Sequence, residues 1–197
     1  MQNKTHFIAA TSKDKTIMKD CNPFTDRICR DIRNGLSKAL MNSLTHLDLT
    51  PAQKIADTYL AGDLQPIYRH YIDDRMKSYD RALQNIRSFH ITDAFDRALV
   101  LWDEELFFEV HEILEQEWLH STGAEKLILQ AMIRGAGMYV QLDRDNTKGA
   151  ASMAAKAVIA LECNRSEVPN IFDLDLLLDK LRNIDPVPPK LWRKISE

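Results

Sequence analysis

Phe107-Phe108-Glu109-Val110-His111-Glu112-Ile113-Leu114-Glu115-Gln116-Glu117-Trp118 is the stretch on which the reading of this chain turns. Residues three and four apart are neighbours on a helix, so Phe108, His111, Glu112, Glu115, Trp118 and Leu119 share one broad face. Phe107, Val110 and Leu114 flank that face. A histidine and two carboxylates among large apolar groups cost free energy unless each finds a partner. The stretch therefore predicts a helix carrying a buried polar stripe.

Partners are sought in the segment that follows. Ser121-Thr122-Gly123 is a tight connection, which makes a helix over about 124–142 fold back antiparallel. With the turn centred near Thr122 or Gly123, His111 or Glu112 falls opposite Arg134, and Glu115 falls opposite Gln130. The expectation is a hydrogen-bonded cluster of His111, Glu112, Glu115, Gln130 and Arg134, with Arg134 holding a nearby carboxylate ionised against desolvation. Ala131, Gly135 and Gly137 are small residues of the kind that let two helices approach, and packing is their natural role.

The rest of the chain reads as helices too. Ile28, Ile32, Leu36, Ala39, Leu40 and Leu44 recur at helical spacing and predict a helix over 26–44, with Arg27, Arg30, Arg33 and Lys38 on its wetter side. Thr50-Pro51-Ala52-Gln53 reads as a capped start, Thr50 capping and Gln53 completing a capping box, for a helix that ends near Gly62. Tyr68, Ile72, Met76, Tyr79, Leu83 and Ile86 form the stripe of a long helix over about 63–87. Thr92 or Asp93 opens another, and Asp103 is expected to cap the helix that holds the motif, over 104–120. An alanine-rich helix from Asn146 or Thr147 to Leu161, and a last one over 172–181, complete the pattern. Pro186, Pro188 and Pro189 prevent continuation.

Composition narrows the classes of function. A chain of 197 residues with a net charge of −3 has room for a real core and no global cationic field, so nucleic acid is not the expected partner. The basic residues at 27, 30, 33 and 38 are interrupted by Asp26 and Asp31 and read as a solvated face. Cys21, Cys29 and Cys163 are odd in number and lack metal-ligand spacing, which reads as a reducing compartment. The start of the chain has no apolar signal region, and no stretch approaches the roughly 20 apolar residues of a spanning helix. A cytoplasmic location and no membrane partner are the expectation, and no motif calls for a cofactor.

FFEVHEILEQEW, followed by LQAMIRGAGMYVQLDRDNTKGAASMAAKAVIALE, closely resembles the family called domain of unknown function 309, over about Ile91 to Glu162. The positions that match its hallmarks are Phe108, Glu109, His111, Glu112, Glu115, Trp118, Gln130, Asn146, Gly149 and Ala150. Arg134 stands where many members have glutamine, Asp145 where glycine is usual, and Gln141 near where histidine is common. The resemblance implies a small helical bundle and a bacterial, archaeal or plastid setting, with no established activity.

The sequence thus predicts an all-α, orthogonal helical bundle with an antiparallel helix hairpin at its core. Its segments are a flexible tail (1–23), an N-terminal helical extension (24–89), the family-like domain (90–183) and a C-terminal tail (184–197). The favoured role is a non-enzymatic interaction or structural module, its partner an unknown protein or a second copy. The candidate polar cluster is Glu109, His111, Glu112, Glu115, Trp118, Gln130 and Arg134. Two other readings use the same residues. His111-Glu112-x-x-Glu115 echoes the HExxH zinc motif with its second histidine replaced, which makes His111, Glu112 and Glu115 the metal-ligand candidates. Alternatively, His111 beside a carboxylate suits acid-base chemistry on a small ligand.

Overall fold

The structure is a computed structural model that describes residues 21–192, and among these it is all-α. The stretch read as a tail lies, up to Asp20, outside the described residues, as do 193–197. Eight α-helices follow in order: α1 (Arg27–His46), α2 (Thr50–Leu60), α3 (Pro66–Ser88), α4 (Ala94–Asp103), α5 (Phe107–His120), α6 (Gly123–Leu142), α7 (Thr147–Cys163) and α8 (Leu174–Asn183). A 3-10 turn, Arg165–Glu167, separates the last two. Among the described residues no helix is long and apolar enough to cross a membrane.

Capping explains where several helices start. Asp26 precedes α1 and accepts from the amides of Ile28 and Cys29; Asp93 serves α4 through Asp96 N, Asn146 serves α7 through Gly149 N, and Asp173 serves α8 through Leu176 N. Two starts differ from the expectation. The capping box at Thr50 and Gln53 does not form, because Asp48 accepts from both the amide and the hydroxyl of Thr50, while Gln53 turns to Asp57. Asp103 does not cap α5 either. It ends α4, the left-handed Glu105 (φ 58°) makes the corner, and α5 begins at Phe107 without a side-chain cap.

Asp103 instead receives the end of the described chain. Its carboxylate accepts from the amides of Leu191 (2.6 Å) and Trp192 (3.2 Å), Trp102 Nε1 donates to the carbonyl of Pro189 (3.1 Å), and Leu191 is fully buried. The proline-rich segment after α8 is thereby strapped across α4. Beneath it, the buried Trp102 ring meets Phe107 and Tyr139 edge-on, and Phe107 stacks on Tyr139 at 4.8 Å.

The α5–α6 hairpin has the predicted register. Phe107 faces Tyr139, and Lys126 Nζ sits 4.3 Å from the centre of the Trp118 ring, as two antiparallel helices joined at Ser121 and Thr122 require. Gly135 lets Trp102 come close, since a Cβ there would lie 3.3 Å from the indole, and Gly137 faces the Met153 sulfur of α7. One hydrophobic core runs through both halves of the chain, joining Ile32, Leu36 and Leu40 of α1 and Ile72, Leu83 and Ile86 of α3 to the α4–α8 layer.

Two further expectations change. Cys21 and Cys29 are joined in a disulfide that closes the loop leading into α1, whereas Cys163 is free and exposed. The odd cysteine count concealed this pair. Arg33, assigned to the wet side of α1, is 8 % exposed, because it lies four residues from both Cys29 and Ser37 on the buried face.

Replacing Asp26 tests the entry to α1, where Tyr68 donates to its carboxylate at 2.5 Å and, with the two capping amides, draws its pKa below the ordinary value. A carboxyl whose folded pKa is depressed adds stability above its unfolded pKa and loses it as pH falls through the folded one. Asp26→Ala should therefore cost about 1 kcal/mol at neutral pH. The difference from the wild type, read by urea unfolding, should vanish below the ordinary carboxylate range.

Candidate functional site

Helix α5 chooses its buried face by apolar content. Phe107, Val110 and Leu114, with Ile113, point into the core, so the face bearing His111, Glu112 and Glu115 turns toward the edge of the molecule. The imidazole is 40 % exposed, and the Glu112 and Glu115 side chains are 38 % and 52 % exposed. The expected sealed cluster is not formed, since no side-chain hydrogen bond or ion pair joins Gln130 or Arg134 to these three residues. In a half-exposed position water solvates the carboxylates, so the returning helix need not answer them.

The buried acid is Glu109. It is the one fully buried carboxylate among the described residues, and both of its oxygens are used. Oε2 accepts from Arg75 Nη2 at 2.5 Å, and Oε1 accepts from the Tyr79 hydroxyl at 2.6 Å. Both donors come from α3, far upstream in the chain. Burial works against the Arg75 charge, but Glu109 and the phenols of Tyr71 and Tyr79 outweigh it and hold the guanidinium above its ordinary pKa. Burial, reinforced by the Glu109 charge, pushes the Tyr79 phenol well above its usual value, so it stays a hydrogen-bond donor.

A second arginine completes the surroundings. The Arg33 guanidinium lies 3.9 Å from the centre of the Phe108 ring and 5.1 Å from that of Phe24, and its Nε and Nη2 both donate to Asn34 Oδ1. Arg144, in the turn that follows α6, covers the Phe24 ring at 3.7 Å. Burial lowers the pKa of Arg33, while Tyr71 and Glu109 act to restore it. Stacking on aromatic faces replaces part of the hydration lost by a guanidinium.

The remaining motif positions have structural places. Asn146 Oδ1 caps α7, its Nδ2 donates to Gln141 Oε1 at 2.7 Å, and a Cβ at Gly149 would lie 2.5 Å from that nitrogen. Ala150 is fully buried. Trp118 is half-buried under Lys126. His111 is different: its Nδ1 is shielded from solvent without a hydrogen bond, 3.5 Å from Glu112 and 3.9 Å from Glu115. One ligand atom from each of these three residues lies within 4.8 Å of the others.

Sequence reasoning missed Arg75, Tyr79, Tyr71 and Arg33, all in the N-terminal half. A signal existed in Tyr71, Arg75 and Tyr79, spaced four apart along the inner side of α3, where an arginine between two tyrosines needs an acid.

Residues 95–153 match the model of the family described as Domain of unknown function (DUF309). Neither a curated protein nor a solved structure matches the chain. The matched residues include Glu109 but neither of its donors.

Truncating a donor leaves Glu109 buried with an unmet oxygen. Arg75→Ala should cost about 3–5 kcal/mol, and Tyr79→Phe about 1–3 kcal/mol. Replacing Arg75 and Glu109 together by apolar residues of similar size should recover much of the first loss, as measured by denaturant unfolding of the two single variants and the double variant.

Proposed function

We propose that this chain is a non-enzymatic helical module, in which Glu109 pins two sets of helices together and the outward face of α5 meets a protein partner or a second copy. The observation that carries this reading is the saturation of Glu109, which has no exposure and no free oxygen with which to work on a substrate. Residues 90–183 form the family-like unit, and 24–89 its helical extension, joined through Arg75 and Tyr79. A prokaryotic setting belongs to the same proposal and is drawn from the motif, and a cytoplasmic one goes with it only with the Cys21–Cys29 pair reduced, since disulfides persist in oxidising compartments.

Because His111 and Glu115 face outward, His111→Ala and Glu115→Ala should each change the unfolding free energy by no more than about 0.5 kcal/mol. Self-association measured by sedimentation should weaken in both. Unchanged assembly together with loss of a hydrolytic or proton-transfer activity would overturn the reading.

A second reading rests on the geometry of His111, Glu112 and Glu115. Their ligand atoms are close enough for small adjustments to bring all three to one transition-metal ion, at about 2.0–2.2 Å for nitrogen and oxygen ligands. The unbonded Nδ1 of His111 supports it. Metal analysis of protein purified without a histidine tag checks this: one equivalent of metal, lost in His111→Ala, favours the site, and a metal-free wild type that takes up no added zinc removes it.

A further inference from the structure

A cleft of about 430 Å³ opens at the far end of α5 from Phe107, bounded by the first turn of α4, the first two turns of α6 and the segment after the 3-10 turn. Its volume falls in the range of small-molecule sites. Phe95, Ile128, Leu129 and Ile171 give it an apolar lining. Around them stand five acids, Asp93, Asp96, Glu117, Glu125 and Glu167, and no lysine, arginine or histidine.

This imbalance is local. The chain has 26 basic residues, yet among the described residues none of the five carboxylates is in an ion pair. Helix starts favour Asp93 and Asp96 at α4 and Glu125 at α6. Glu117 has no such reason, for it lies in the last turn of α5, where the helix dipole disfavours an acid. Glu167 sits outside any α-helix and, among the described residues, accepts only from the Ser166 hydroxyl. Burial, with Asp93 beside it, also raises the pKa of Asp96.

We infer that the cleft binds a free organic amine, a protonated ammonium attached to an aromatic or aliphatic body. The apolar lining takes the body, and the surrounding carboxylates take the charge. A bare cation would leave the lining wet, and a neutral molecule would leave the carboxylates with water as their main counterpart. The inference is independent of the Glu109 pin, from which Glu117 is displaced by about 12 Å along α5.

Calorimetric titration of the full chain at low ionic strength tests it with three probes: 2-phenylethylamine, its uncharged counterpart 2-phenylethanol, and methylammonium. The amine should bind and shift the amide resonances of Ile128 and Leu129, and each of the other two should bind at least about tenfold more weakly. Glu117→Gln combined with Glu125→Gln should weaken the amine about tenfold, whereas Asp63→Asn with Asp73→Asn, two exposed acids elsewhere, should change it less than about twofold. Circular dichroism of both double variants keeps a folding defect from passing as a binding defect. No binding of the amine, equal binding of the alcohol or of methylammonium, or equal loss in the two double variants would overturn the inference.

Discussion

A carboxylate with no access to water must be answered inside the protein, and Glu109 is answered by Arg75 and Tyr79. The low-dielectric interior strengthens these bonds and makes their loss expensive. Both donors lie on α3 and the acceptor on α5, so neither helix can shift along the other without exposing or orphaning a charge. That constraint fixes how the first helices meet the hairpin, because apolar contacts alone would tolerate sliding.

The arrangement around the pin follows from charge and shape. Tyr71 and Tyr79 both flank Arg75, and the Arg33 guanidinium rests on Phe108, one residue before Glu109. Cations are thus shielded by aromatic faces where water is excluded. With Glu109 directed to α3, and Phe107, Val110 and Leu114 directed to the core, the side of α5 bearing His111, Glu112 and Glu115 is left at the edge. One helix therefore carries a structural acid and an outward polar face, separated by about a third of a turn.

The helices, the hairpin register and the packing role of Gly135 and Gly137 were legible because each leaves a local trace: periodicity, a short turn, a residue without a side chain. The polar partners were not, since the spacing within one helix ranks His111, Glu112 and Glu115 as one face but cannot say which face the rest of the molecule covers. Glu109 was among the candidates only through its place in the motif. Its donors lie 30 and 34 residues upstream, and no local pattern links them to it. Arg33 was misplaced by its charge, although its spacing from Cys29 and Ser37 marked it as inward. The Asp103 strap was equally hidden, because a carboxylate between two helices reads as a cap until Leu191 and Trp192 are seen lying against it.

The buried ion pair makes α3 and α5 one cooperative unit. Native-state hydrogen exchange of the full chain measures this directly, since it gives an opening free energy for each amide. The amides around Arg75 and Tyr79 should open only together with those around Glu109, at the free energy of global unfolding. Exchange of α3 at a much lower free energy, with α5 still protected, would contradict it.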